Sequence, residues 1–462
     1  MKTTLSIWLL LAVVFNTSAQ TWSWSEDQLS YARMGLSATV MDDSIFYSGG
    51  KTDAGSSFLN IVNIYDIGED LWSAAILTTT ERYQISAVST DSMVFFAGGT
   101  NFNAYDFVTF DIVDVYNKGD NEWSVEHLTV PKIHMGTVAL ANQVFFAGGL
   151  NYSENNPAMI YDVIDIYNTE TGIWSTDYLS VSRWGIGAAT AGGKVFFAGG
   201  ATETGEVTDV VDVYDNITNE WSVIHLSEAR AFTSAVACGN QIYFAGGTLP
   251  NAETSIVIDV YNIENGNWEV LPLTLSSPRI VKALNLNNAL VFAGSTDWIN
   301  INTGYWGPPN GIVEVYITTT EQWDYSVSDL DPSRFWYGYA SYENKAYYAG
   351  GWDLDQAHNI VNILEYDIAT NISTSNNQKI EFQLYPNPFN SRITIDFSLQ
   401  HSGTINITIY DNNGVQVKDF VQEYQQQGAQ QIILELSNLK PGIYYCVLIT
   451  SEGIHSTKMI KL

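Results

Sequence analysis

The sequence predicts an all-β chain: a ring of seven four-stranded sheets, that is a β-propeller, followed by a small C-terminal β-sandwich. Three observations in the 462 residues carry that expectation. An apolar run ending in Gly-Gly recurs with its first glycine at Gly49, Gly98, Gly148, Gly199, Gly246, Gly294 and Gly350, in steps of 49, 50, 51, 47, 48 and 56; the sixth copy is degenerate, reading VFAGS. A tyrosine is followed seven residues later by a tryptophan in Tyr65/Trp72, Tyr116/Trp123, Tyr167/Trp174, Tyr214/Trp221, Tyr261/Trp268 and Tyr316/Trp323. A cation stands 16 residues before the doublet at Arg33, Arg82, Lys132, Arg183, Arg230 and Arg334, and Arg279 stands 15 before its own. Marks locked in register at a period near fifty point to repeated β units arranged about an axis.

The second unit shows how each element reads. ISAVST is a small-residue strand, MVFFAGG an apolar one, VTFDIVDVYN alternates like a half-buried strand, and NEWSVEHL follows a polar turn. The innermost strand must be lined by small residues, because blades converge at the axis. Gly-Gly ends the second strand, where positive φ and close backbone approach are needed. Tyr and Trp are large and amphipathic, and suit the wide wedge between outer strands.

The seventh unit lacks its tryptophan: seven residues after Tyr366 stands Ser373. Trp24 lies 25 residues before Gly49, where the internal Trp-to-Gly steps are 25 to 27, so it holds the tryptophan position of a unit with no beginning. The N-terminal strand is therefore expected to complete the last blade and close the ring, which leaves no free sheet edge.

These marks resemble the kelch repeat over roughly residues 21 to 370. The acids two before the tyrosine are Asp114, Asp165, Asp212, Asp259 and Glu314; Asn63 replaces the acid in the first unit, and Glu365 adjoins Tyr366 in the last. The resemblance implies a seven-bladed kelch-type β-propeller and says little of activity, since one fold hosts many functions.

Residues 1–19 read as a secretory signal, with Lys2, an apolar core from Leu5 to Phe15 and Thr17-Ser18-Ala19 as the cleavage site. The core is too short for a typical membrane span. The propeller is assigned to 20–370 and a polar linker to 371–379. Residues 380–462 alternate like a β-sandwich. This module is similar to the C-terminal sorting domain of the type IX secretion system of Bacteroidota, on Tyr385-Pro386-Asn387-Pro388, Asp411 to Gly414, Leu439 to Tyr444 and Lys458-Met459-Ile460-Lys461. The resemblance implies export across the outer membrane, with that machinery as partner, and a secreted or cell-surface location. A sandwich module that stays attached is the bland alternative.

The formal charge is −31, of which five Lys/Arg against seven Asp/Glu from residue 380 onward contribute −2. Such acidity repels nucleic acid and anionic membrane surfaces, so neither is expected as a partner. Only Cys238 and Cys446 occur, in different modules, and no disulfide is expected. A monomer is expected.

Of thirteen Lys and Arg between residues 20 and 379, seven occupy the single repeat position. A ring of charge around a channel is one reading. The stronger one makes each cation part of its blade, satisfied by a carboxylate or carbonyl. His127 and His225 share an outer-strand register, while His134 and His358 fall at loop or strand-start positions. HExxH, CxxC, GxSxG and phosphate-binding glycine loops are absent from the sequence, so no metal and no cofactor is expected. Kelch-like copper oxidases need a cysteine beside a metal-binding tyrosine, and nothing marks a partner for Cys238. Asp353 and Asp355 are a weak signal for calcium.

Residues that break the repeat are more informative. Just after the cation stand Tyr83, His134, Trp184, Phe232, Phe335 and Trp336, and the loop after Gly294 is the longest, with Trp298 and Trp306. Aromatic faces near Asn and Asp suit sugar rings or peptide side chains; alternatively the rings pack on one another and plug the channel. The function expected is a binding or adhesion module for a glycan or protein ligand. The alternative is a metal-independent sugar mutarotase or epimerase on the same scaffold, which needs an acid/base pair in a confined cavity.

Overall fold

The computed structural model describes residues 20–368 and 383–462, apart from 53–56, 78–79, 103–105, 153–157, 252, 274–279, 297–298, 301–304, 307, 400–401, 412–415 and 451–452. The signal segment 1–19 and the linker 371–379 lie outside these residues. Contacts divide the chain into two units, one spanning Thr21–Asp367 and one containing Ile368–Leu462.

Among the described residues the first unit contains seven four-stranded sheets. Blade 1 runs outward as Ser37–Met41, Ser44–Ser48, Ile61–Asp66 and Leu71–Ile76. Five further blades repeat this order. Blade 7 is built from Gly338–Tyr342, Lys345–Ala349 and Ile360–Ile368, and its outermost strand is Gln20–Gln28 from the other end of the unit. Each inner strand touches the next one around the axis, and Gly338–Tyr342 meets both Ile280–Leu286 and Ser37–Met41. The inner strands begin on small residues, Ser37, Ser86, Gly136, Gly187, Ser234 and Gly338. A Cβ on Gly187 would lie 2.5 Å from the carbonyl oxygen of Thr233 in the next blade.

The buried cation knots each blade together. Arg33, Arg82, Lys132, Arg183, Arg230 and Arg334 are fully buried. Each donates to the backbone carbonyl fourteen residues on, as Arg183 Nη2 does to Phe197 at 3.1 Å and Arg334 Nη2 to Tyr348 at 2.9 Å. Four also meet the repeat acid: Arg82–Asp114 at 2.5 Å, Lys132–Asp165 at 2.8 Å, Arg183–Asp212 at 2.6 Å and Arg230–Asp259 at 2.7 Å. The same carboxylates reach back to the segment carrying the cation, accepting from the amides of Thr129, Ser180 and Ser227. Buried charge is tolerated because the terminal nitrogens meet carboxylates and carbonyls, although Nε of Arg33, Arg183 and Arg230 has no hydrogen-bond partner among the described residues. Arg279 lies outside the described residues.

Two blades dispense with the carboxylate. Arg33 donates to Asn63 Oδ1 at 2.9 Å and to the carbonyls of Ile61 and Tyr47. Arg334 uses the carbonyls of Gly350, Pro332 and Tyr348. Desolvation pushes their guanidinium pKa values down to about 9 and about 10.

The glycine doublet joins blades. Gly50, Gly149 and Gly200 donate their amides to the carbonyls of Arg82, Arg183 and Arg230 in the following blade, and Gly351 does the same to Arg33 across the ring closure. A Cβ on Gly49 would sit 2.6 Å from the Arg82 carbonyl oxygen, and Gly49 has φ +66°, so this approach demands glycine.

The Tyr–Trp spacing follows from one hairpin. Tyr65 faces Trp72 across the third and fourth strands, and the other five pairs repeat that register. The tyrosine hydroxyl donates to a turn residue with positive φ: Asp70, Asn121 or Asn219. Indoles clip neighbouring blades, since Trp72, Trp174 and Trp221 donate to Asp27, Glu126 and Asp177 on the preceding outer strand.

Blade 7 corrects the sequence alignment. Asn362 lies opposite Tyr348, as Asn63 lies opposite Tyr47 and Asp114 opposite Phe96. The acid position is therefore Asn362 and the tyrosine position Leu364, not Tyr366. Trp24 lies 6.0 Å from the Tyr348 ring, the relation Trp72 has to Tyr47 at 5.9 Å, while Tyr366 stacks on Trp22 at 4.4 Å.

The second unit pairs a three-stranded sheet, Gln383–Tyr385, Arg392–Leu399 and Gly428–Glu435, with a four-stranded one, Gln416–Gln425, Gly403–Asp411, Gly442–Thr450 and Gly453–Lys461. Ile393, Ile395, Phe397, Ile407, Ile409, Cys446, Leu448 and Met459 fill the space between them. Cys238 and Cys446 are both buried and free.

Arg183→Ala is expected to destabilise the chain by about 3–5 kcal/mol, because Asp212 is left charged and buried. Urea unfolding of the full chain measures this. Arg183→Met combined with Asp212→Leu is expected to recover most of the loss; an unshifted midpoint for the single variant would deny the cation a structural part. Trp24→Ala is expected to cost about 2–3 kcal/mol by opening the closing seam, whereas Tyr178→Ala on an exposed outer-strand position changes the midpoint little.

Candidate functional site

The axis is hollow where the inner strands begin. A cavity of about 390 Å³ is lined there by residues from all seven blades, among them Gln84, His134, Phe232, Lys282, Trp336 and Tyr339. The position two residues after the repeat cation builds its rim. It is Gly35, Gln84, His134, Gly185, Phe232 and Trp336 in six blades, all with positive φ between 53° and 67°.

That backbone conformation has a visible cause. Gly35 donates its amide to the Trp336 carbonyl, Gln84 to Gly35, Gly185 to His134 and Phe232 to Gly185. A chain of hydrogen bonds thus runs from blade to blade around the mouth, and the left-handed conformation aims each amide along it. Glycine meets this demand without strain, as in blades 1 and 4. In the other four, a bulky side chain stands where it costs on the order of 1–2 kcal/mol. Strain of this kind, gathered on one rim around a cavity, makes this mouth the candidate site.

The aromatic residues expected on this face separate into two groups. His134, Trp184 and Phe232 form a cluster, with ring centroids 5.6 Å, 5.7 Å and 5.3 Å apart. His134 and Phe232 face the cavity, and Trp184, one residue after its cation, packs behind them. Trp336 faces the cavity on the opposite side, lying over Phe335 at 5.2 Å and stacked on Trp352 at 6.1 Å. Tyr83 and Phe335 are buried, at 6% and 1% exposure, because the residue one after the cation bridges the residue after the glycine doublet; they support the rim and offer it almost no surface. Trp298 lies outside the described residues. Trp306 belongs to a short strand, Tyr305–Trp306, paired with Ile299–Asn300.

Other residues of the site carry weaker sequence signals. Lys282 follows Val281, which takes the rim position of blade 6, and its Nζ lies 5.3 Å from the Tyr339 ring centroid. Lys51 and Trp352 each follow a glycine doublet, and Lys51 Nζ lies 4.7 Å from the Tyr83 centroid and 5.5 Å from that of Trp336. Comparing the units at the position after Gly-Gly, rather than only around the cation, would have found both.

Burial, and secondarily the charge of Lys282, push His134 down from its ordinary value to about 4. Its imidazole is neutral across the physiological range, able to donate from one nitrogen and accept at the other. Burial also lowers the Lys51 pKa. Among the described lining residues there is no Asp or Glu, although the chain carries 50 acids. The cavity therefore offers ring faces, hydroxyls, an amide, a neutral imidazole and one ammonium. Among the described residues, no group of three or more His, Cys, Asp and Glu is placed to hold a metal ion.

Residues 383–462 match the family model described as the secretion system C-terminal sorting domain. The chain is 24% identical over 196 residues to "Kelch-like protein terF" of Aspergillus terreus, a stretch that is 39% of this chain and 41% of that protein. The chain thus spans about two fifths of that relative's length. Among solved structures it is similar to "Structure of YjhT", with a TM-score of 0.49 and 17% identity over 64% of this chain and 98% of the other. No helix among the described residues is long and apolar enough to cross a membrane. The sorting domain marks the chain for export by the type IX secretion system, to the cell surface or beyond. Its repeat marks and its ring of four-stranded sheets give the first unit the fold of a kelch-type β-propeller, and residues 383–462 match the secretion system C-terminal sorting domain.

Proposed function

We propose that this exported propeller is a recognition module that binds a glycan at its axial mouth. The observation that carries the reading is the rim itself: four side chains, Gln84, His134, Phe232 and Trp336, held at positive φ around one cavity. Ring faces from opposite sides of the opening suit the flat apolar faces of a sugar, and Gln84 and neutral His134 supply hydrogen bonds at its edges. A protein ligand presenting an aromatic or aliphatic tip would use the same rings, and a surface-protein screen separates the two. The lining favours recognition over epimerisation: a carboxylate–base pair is not among its described groups, and His134 is held neutral by burial.

A glycan array probed with the full chain tests this. Trp336→Ala and Phe232→Ala are each expected to weaken the bound glycan about 30-fold, from a loss near 2 kcal/mol, with Tyr178→Ala as the unaffected control. Gln84→Gly is expected to raise stability by about 0.5–1 kcal/mol while weakening binding, because it relieves the backbone and removes a polar contact. Unchanged affinity in both aromatic variants would remove this mouth from consideration.

A further inference from the structure

We infer that the ligand of this mouth is an acidic sugar, whose anionic group is held by Lys282 while its ring lies against Trp336 and Phe232. The inference rests on the glycan reading above and assigns the class of glycan.

The argument starts from where the cations of the propeller find their partners. Lys118, Lys194 and Lys345 pair with Asp42, Asp215 and Glu365 on the surface. Arg82, Lys132, Arg183 and Arg230 pair with repeat acids in the blades. Arg33 and Arg334 are satisfied inside their blades by backbone carbonyls, with Asn63 helping Arg33. Two described lysines of the propeller remain, Lys282 and Lys51, and neither forms an ion pair with a described carboxylate. Among the described cations of the propeller, a lysine with no described acid beside it is the exception. Both exceptions stand at the same mouth, half-buried and set against aromatic rings.

The rest of the lining agrees. The groups facing Lys282 from neighbouring elements are the Tyr339 ring, the neutral His134 and the small inner-strand residues Ser234 and Ala235. An ammonium partly removed from water, with no counter-ion in the cavity, favours an incoming anion. The surrounding acidic surface would repel an anionic ligand elsewhere, whereas the described lining of the mouth carries an ammonium and no acid. Lys51, clasped between Tyr83 and Trp336, adds positive potential at the rim and fixes the Trp336 ring by a cation–π contact. Carboxylate and sulfate esters share this chemistry, and sugars bearing each distinguish the two sources.

The test is thermal stabilisation of the full chain by glucuronate and galacturonate, by a sulfated monosaccharide, and by glucose and galactose, at matched ionic strength. Acidic sugars are expected to raise the melting temperature more than neutral ones, with uronate against sulfate ester showing which anion fits. Lys282→Met keeps the aliphatic stem and is expected to weaken acidic-sugar binding about tenfold or more, which removes the preference of the chain for acidic over neutral sugars. Neutral sugars binding as well as acidic ones would overturn the anion assignment and leave the glycan reading standing. Binding of acidic sugars that survives Lys282→Met would overturn it as well. No shift with any sugar would overturn both.

Discussion

A guanidinium or ammonium sealed inside a sheet must find acceptors for its charge, and this requirement organises the propeller. Each cation is tied to the carbonyl fourteen residues on, and in most described blades to an acid on the third strand. The second strand, the third strand and the incoming segment are thereby fixed to one another within a blade. The carbonyl of the same cation then accepts from the glycine doublet of the preceding blade. One residue therefore sets the geometry inside a sheet and the spacing between sheets. Its two next residues inherit defined places, the first buried against the doublet loop and the second turned to the axis.

That division explains which parts of the site could be read from the chain itself. The ring, the strand order and the closing role of Gln20–Gln28 follow from marks that recur at fixed spacing, because hairpin length and cation reach are rigid. The register of blade 7 was harder, since Leu364 stands where a tyrosine should and Tyr366 offers a false match two residues on. The aromatic residues after the cation were visible as a group. Their separation into supporting rings, Tyr83 and Phe335, and half-buried ones that line the cavity, Phe232 and Trp336, was not, because one step along the chain turns a side chain from the packed side to the open one. Lys282 was hidden for another reason: charge is legible in a sequence, but the lack of a partner is a property of three-dimensional surroundings.

The contrast between the whole surface and its axial recess has a mechanical source. Inner strands carry small and hydroxyl-bearing residues because the blades converge there, and acids are confined to outer strands, turns and the interior knots. A strongly acidic protein is thus left with an opening whose character is set by a handful of rim residues. Substituting them alters recognition while the knots and doublets that hold the blades remain untouched.

The seam in blade 7 ties together chain segments more than 300 residues apart, as the Asn362 side chain donating to Glu26 illustrates. Until Ile360–Ile368 has been delivered, the sheet beginning at Gly338 has no complete set of neighbours, and the earliest strand has nowhere to dock. Pairing of segments so far apart in the chain is slow to form, and until it is made the edge of Ile360–Ile368 lies open to any other strand.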